Sequence, residues 1–273
     1  MKKQNSRKVV AVIGYGYVGK ALVDFFKSHF DILIYDTAKP EVSASKEEIN
    51  KKADLAVISV PTPMENDGSA DVSAIEGTLS WLKTDLVLIK STIPPGTTDM
   101  LSKKFKRKLA FSPEYIGEGN YEVPFWKGHP HPTNMKLHDF VIIGGERETA
   151  RKILSYFKRV LGPEAQYEIT TSITAELVKY MENSFLATKV TFCNEFYDIA
   201  KNLGVEYDEL RELWLLDGRN SRSHTLVYED SRGFGGKCLP KDVNAIVKAS
   251  TKAGYKPKLL ESVLKVNEEI KSK

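Results

Sequence analysis

The first hundred residues alternate short, β-branched apolar runs with amphipathic stretches. Residues 9–13 form one such run, ended by a glycine, and residues 20–29 follow with Ala21, Leu22, Phe25 and Phe26 spaced along one helix face. Runs at 32–35, 55–60 and 86–90 read as buried parallel strands, which are short and apolar on both faces. Residues 108–111 and 140–143 predict two more. Such alternation predicts a doubly wound parallel α/β sheet. From about residue 173 the spacing becomes helical throughout: 173–204 as one long helix, then 208–216, 241–253 and 257–270. The expected organisation is a sheet domain over 1–170 and an all-helical domain over 171–273 built on that long central helix, with no repeat or flexible linker.

Composition narrows the classes. A chain of 273 residues has room for two domains, and 41% apolar with 28% charged residues is a globular balance. Forty basic against 36 acidic residues leave a net charge of +4. That suits phosphate-bearing small molecules but lacks the dense basic stripe of a nucleic-acid binder. No apolar run approaches the roughly 18–20 residues that cross a bilayer. The basic start runs into a stretch broken at once by Gly14, Tyr15 and Gly16, so no signal peptide is expected. Two cysteines, Cys193 and Cys238, make no disulfide framework and fit a reducing, cytoplasmic setting.

The run Gly14-Tyr15-Gly16-Tyr17-Val18-Gly19 follows a strand and opens a helix. In that place the first glycine makes a tight turn, the second admits a pyrophosphate, and the third lets helix and strand pack closely. The helix N-terminus offers N–H groups to phosphates. Asp36, twenty residues after Gly16 at the end of the second strand, stands where a carboxylate binds ribose hydroxyls and repels a 2′-phosphate. The expected cofactor is NAD on a Rossmann-like domain. Val60, Pro61 and Thr62, and then Ser91 and Thr92, leave strands at the ligand-binding end; Thr62 and Thr92 are expected to offer hydroxyls to the crevice, with proline turn chemistry as the plain alternative.

Residues 233–242 (Gly-Phe-Gly-Gly-Lys-Cys-Leu-Pro-Lys-Asp) are the most informative stretch. Pro240 suits a first helical turn, which puts Cys238 at the helix N-terminus, where the dipole with Lys237 and Lys241 favours thiolate. Asp242 falls one turn further on, placed to handle a proton beside the sulfur. Cys193, inside an apolar helical pattern, reads instead as a buried small hydrophobe. Lys179 and Asn183 are one turn apart on the long helix and could serve an oxyanion, unless they form a solvated face. Glu114 and Glu118 place two carboxylates in a loop after another strand.

In this order, the motifs resemble the UDP-glucose/GDP-mannose dehydrogenase family of nucleotide-sugar 6-dehydrogenases, from Val9 to about Lys273. The resemblance implies NAD-dependent oxidation of a sugar C6 alcohol to a carboxylate, with UDP-glucose the default substrate. It implies that Cys238 captures the aldehyde, that Lys179 and Asn183 stabilise oxyanions, and that Asp242 positions a water. By the same resemblance Glu114 is the base for thioester hydrolysis with Thr92 beside that water, Lys241 and Glu118 lie near the nicotinamide, and Tyr115, Phe234 and Gly235 line the sugar site. Arg222, sixteen residues before Cys238, matches an arginine that reaches a neighbouring subunit's sugar site. A homodimer through 173–204 is implied, and no metal.

Several departures stand out against that family. Its third, nucleotide-closing domain is expected to be absent. The stretch between Asp36 and Asp54 is short, so a helix and strand are expected to be missing. Residues 120–140 are long and carry Tyr121, Phe125, Trp126, His129, His131 and His138, read as a surface or substrate-side loop. Lys237 replaces a small residue before the cysteine. The competing expectations are a simpler 3-hydroxyacid or 6-phosphogluconate dehydrogenase, against which Cys238 argues, and a module that binds nucleotide without turnover.

Overall fold

The computed structural model describes residues 7–116 and 134–272. The chain divides into two compact units, Met1–Pro63 with Asp71–Lys179, and Met64–Ala70 with Tyr180–Lys273.

The first unit is built on β1 (Val9–Ile13), β2 (Asp31–Tyr35), β3 (Leu55–Ile58), β4 (Val87–Ile89), β5 (Leu109–Phe111), β6 (Phe140–Gly145) and β7 (Gln166–Thr170). They form one sheet in the order β2-β1-β3-β4-β5-β6-β7. Helices α1 (Tyr17–Phe26), α2 (Lys46–Lys52), α3 (Ser73–Trp81), α4 (Thr97–Phe105) and α5 (Arg147–Leu161) connect them. Alternation along each strand feeds two cores. Val10 and Val12 pack with Phe25, Phe26 and Phe157 on one face, while Ala11 and Ile13 pack with Ile58, Ile75 and Phe111 on the other. Among the described residues, β2 is the one strand beyond β1 at that edge, and the chain returns through α2 to β3 on the other side of β1. The strand order therefore reverses between β1 and β3.

The sheet differs from the all-parallel expectation at one junction. β6 pairs antiparallel with β5, and β7 then pairs parallel with β6. An apolar run specifies burial and not strand direction, which is why 140–143 predicted the strand and missed its sense. The strand β7 was not expected: Gln-Tyr-Glu-Ile-Thr forms the sheet edge, where polar residues meet solvent.

Helix α6 (Ser172–Asn202) carries the chain from the first unit into the second, which continues with α7 (Tyr207–Trp214), α8 (Leu239–Lys252) and α9 (Lys258–Lys271). Its core gathers Ala187, Phe234, Val243 and Val263. A hairpin with the Met64–Ala70 bridge also belongs here, held by Lys248 Nζ 3.1 Å from Asp67 Oδ2.

Candidate active site

The glycine loop shows the three roles separately. Gly14 has φ +92°, and a Cβ there would lie 2.6 Å from the Ser59 carbonyl oxygen. At Gly19 a Cβ would meet the Gly14 carbonyl oxygen at 1.9 Å, so helix α1 can approach the loop only through glycine. A Cβ on Gly16 would touch nothing within 4 Å, which leaves open space where the loop enters α1. No side chain caps α1, so its first N–H groups remain available to an anion. Ser59 Oγ donates to the Gly14 carbonyl at 2.9 Å and fixes the loop over the β1–β3 reversal, where doubly wound sheets bind ligands. Tyr15 lies in the turn between Gly14 and Gly16, and Tyr17 and Val18 begin α1. Asp36 accepts from Tyr15 N at 2.6 Å and from Ala38 N at 2.8 Å, which holds its carboxylate at the end of β2 beside the loop. These features fit a dinucleotide: an uncrowded helix N-terminus for the pyrophosphate and a fixed carboxylate for ribose hydroxyls.

The two threonine-bearing loops are tied to each other. Thr62 Oγ1 donates to the Thr92 carbonyl at 2.8 Å, and Ser91 Oγ donates to the Val60 carbonyl at 2.7 Å. The Thr62 and Ser91 hydroxyls thus lace the Val60-Pro61-Thr62 loop to the 91–97 loop. Glu176, fully buried on α6, accepts from Gly96 N (2.5 Å), Thr98 N (2.8 Å) and Thr98 Oγ1 (2.6 Å) and so fastens the start of α4. Burial raises its carboxyl pKa.

At the exit of β5, Glu114 Oε2 accepts from Ile116 N at 2.8 Å, and Lys179 Nζ lies 3.5 Å from Glu114 Oε1. Lys179 also sits over the Tyr115 ring, 5.7 Å from its centroid. Sequence reasoning missed Lys90, which ends the β4 run and is 4% exposed; its Nζ donates to the Pro113 carbonyl at 2.6 Å. Burial, with Lys179 adding to it and Glu114 opposing it, brings the Lys90 ammonium down to about 8. His138 lines one narrow cleft with Lys90, Glu114 and Tyr115. Its pKa is lowered by burial first and by Lys90 second. Glu118, Tyr121, Phe125, Trp126, His129 and His131 lie outside the described residues.

In the second unit, Cys238 is the half-buried N-cap of α8, with Pro240 in the first turn. Asp242, 1% exposed, receives Asn183 Nδ2 at 2.5 Å on one oxygen and faces Lys241 Nζ at 2.5 Å with the other. Cys193 is buried, and burial raises its thiol pKa. The glycine stretch is pinned from both sides. Asn267 Oδ1 accepts from Phe234 N at 2.6 Å, and its Nδ2 donates to the Phe234 carbonyl at 3.0 Å. Arg232 Nε donates to Asn194 Oδ1 at 2.7 Å, and the same oxygen accepts from Gly233 N at 3.1 Å. The Phe234 ring is in the helical core at 3% exposure, and its N–H and carbonyl both bond Asn267. Gly235 and Gly236 are exposed beside it. Arg222 Nη2 pairs with Glu212 of its own chain at 2.5 and 2.6 Å. Neither Asn267 nor Lys90 was singled out in the sequence. Each was visible only as a lone polar residue in an apolar pattern.

Among the described residues, no group of three or more His, Cys, Asp or Glu could hold a metal ion, and no helix is long and apolar enough to cross a membrane.

A parallel sheet with a glycine loop at its strand-order reversal, followed by helices that carry a cysteine N-cap, defines a dinucleotide-binding dehydrogenase architecture. Two sequence profiles match: the NAD-binding domain of the UDP-glucose/GDP-mannose dehydrogenase family over residues 38–159, and the central domain of that family over residues 173–269. The chain belongs to this family. It is similar to the UDP-glucose 6-dehydrogenase of Rickettsia prowazekii, 31% identical over 225 residues that cover 78% of this chain and 49% of that protein. Its fold is similar to the UDP-glucose dehydrogenase of Pyrobaculum islandicum (TM-score 0.80, 28% identity, 98% of this chain and 70% of that one). A UDP-D-ManNAc dehydrogenase from Pyrococcus horikoshii superposes with TM-score 0.78 at 25% identity, over 96% of this chain and 68% of that one. The chain spans about half the length of the curated relatives it matches.

Proposed function

We propose that this chain carries the NAD-dependent oxidation of a nucleotide-sugar C6 alcohol to the acid, with UDP-glucose as the first substrate to test, through a covalent adduct on Cys238. The observation that carries this reading is Cys238 at the N-terminus of α8 with the buried Asn183–Asp242–Lys241 cluster one turn on. A dehydrogenase that stops at the ketone or aldehyde needs no such thiol.

Gly14, Gly16, Gly19 and the start of α1 hold the pyrophosphate, Asp36 holds the adenosine ribose, and Lys241 lies toward the nicotinamide. When bound, NAD accepts a hydride from the sugar carbon, once in each of two oxidations. After the first, the Cys238 sulfur adds to the aldehyde carbon and the carbonyl oxygen takes a proton, giving a thiohemiacetal. After the second, the carbon is a thioester. Lys179 and Asn183 donate to the oxygen while it carries negative charge. Glu114 then takes a proton from water as the water oxygen attacks, the C–S bond breaks, and the thiolate is returned. Thr92 and Asp242 orient that water, while Tyr115 and Gly235 border the sugar.

Met181, Phe185, Phe192, Phe196 and Ile199 are all exposed along α6, with Leu203 just past its end, an apolar face that a second copy would cover. We therefore read the chain as a homodimer through this helix, in which Arg222 would exchange Glu212 for the neighbouring site. A thiol nucleophile that must stay reduced suits a cytoplasmic enzyme. The test is NADH release from the 273-residue chain with NAD and a panel of nucleotide sugars. Release of two NADH per sugar supports the reading; NADH from 3-hydroxyacids and from none of the panel defeats it.

A further inference from the structure

Hydrolysis of the thioester requires that Glu114 be held in place and carry its charge, and one buried group near it has no part in the steps above. Lys90 stands at the C-terminal end of β4, next to β5. Its Nζ donates to the Pro113 carbonyl at 2.6 Å and reaches Ser112 Oγ at 3.3 Å, the two residues that lead into Glu114. A buried ammonium persists only where partners replace its lost water. The groups that face it are Glu114 from the β5 exit, Lys179 from α6, and His138 from the segment before β6, with Asp139 acting on His138. On its other side β3 presents only Leu55, Ala56, Val57 and Ile58.

We propose that Lys90 is a positioning residue for Glu114: its ammonium anchors the Pro113 carbonyl and adds positive charge near the carboxylate, so that Glu114 is aimed when water attacks the thioester. The proposal rests on the reading of Glu114 as the base. No atom of Lys90 need touch substrate. Lys179 pairs with the Glu114 carboxylate itself at 3.5 Å, whereas Lys90 is tied to the main chain that carries it. With a midpoint near pH 8, Lys90 loses its charge in mildly alkaline solution, and the hydrolytic step weakens there.

The experiment compares wild type, Lys90→Met and Lys90→Arg in the full chain with NAD and UDP-glucose. Lys90→Met is expected to lower kcat roughly 10- to 100-fold while KM for NAD stays within about twofold. Lys90→Arg, which keeps its charge at every working pH, recovers most of kcat and lacks the alkaline decline near pH 8. A folded Lys90→Met with wild-type kcat overturns the proposal. A second measurement covers variants that do not fold and needs no turnover: NMR titration of isotope-labelled lysines in wild type and in Glu114→Gln. The Lys90 midpoint is expected near 8 and should fall by about half a pH unit or more when the carboxylate is removed. A midpoint at the ordinary 10.5, or one unmoved by Glu114→Gln, overturns the coupling. A chain that makes no NADH from any nucleotide sugar defeats the function above, and the titration alone then decides whether Lys90 serves Glu114.

Discussion

Asn183 donates its side-chain amide to Asp242 at 2.5 Å in the interior of the helical unit, so the proposed oxyanion donor and the proposed water-positioning carboxylate are one hydrogen-bonded pair. Lys241 closes the cluster at 2.5 Å on the other carboxylate oxygen, and Asp242 N accepts its place in the helix by donating to the Cys238 carbonyl at 2.9 Å.

Asp242→Ala removes a carboxylate shared by two partners and leaves the Lys241 ammonium without its counter-ion. The expected cost is about 3–5 kcal/mol of unfolding free energy, against about 1–3 kcal/mol for Asn183→Ala. The double variant should show a coupling of about 0.5–3 kcal/mol in chemical denaturation. Strict additivity would mean the pair does not act together.

The glycine loop offers a sharper contrast. Gly19→Ala would force a Cβ to 1.9 Å from the Gly14 carbonyl and should cost about 3 kcal/mol or more. Gly16→Ala, with no atom within 4 Å, should change stability by less than about 1 kcal/mol yet, on the proposed reading that the pyrophosphate approaches here, weaken NAD binding about tenfold or more. Denaturation and calorimetric titration of the two variants separate the roles. NAD affinity unaltered in Gly16→Ala would mean the cofactor does not use this turn.

Asn267→Ala breaks both hydrogen bonds to Phe234 and leaves buried main-chain groups unpaired. A loss of about 2–3 kcal/mol is expected. Amide exchange at Phe234 and the neighbouring glycines should accelerate well before α9 itself opens. Unchanged protection at Phe234 would show that Arg232 and Asn194 suffice to hold the stretch.

The Lys90 ammonium is lowered from 10.5 to about 8, so between those values the unfolded chain binds a proton that the folded chain does not. This group therefore costs stability at neutral pH, and the cost is relieved as pH rises from about 8 to 10.5. The stability of wild type relative to Lys90→Met should rise over that window by about 3 kcal/mol. A difference that is flat with pH would contradict the burial of a charged lysine there.

The residues most legible in the sequence were those whose chemistry is local. A glycine forced to positive φ at Gly14, a proline in the first turn of α8 and a cysteine just before it can be read from neighbours in the chain. What tertiary contacts decide was hidden. The sense of β6 depends on which edge of β5 it reaches, and β7 shows too few apolar residues to stand out from a loop. Thr62 and Thr92 were expected to offer hydroxyls to a crevice; that the Thr62 hydroxyl also binds the Thr92 carbonyl, and the Ser91 hydroxyl the Val60 carbonyl, could not be read from the chain. Lys90, Glu176 and Asn267 follow the opposite logic. A polar residue inside an apolar pattern signals that a partner exists, and only the fold names it.

The central claim is four-electron oxidation through a thiol, and counting NADH against sugar tests it most directly. With NAD in excess and limiting UDP-glucose, the account predicts two NADH and one uronic acid per sugar, and no acid from Cys238→Ala despite intact NAD binding. One NADH per sugar, or acid formation that survives Cys238→Ala, would contradict it.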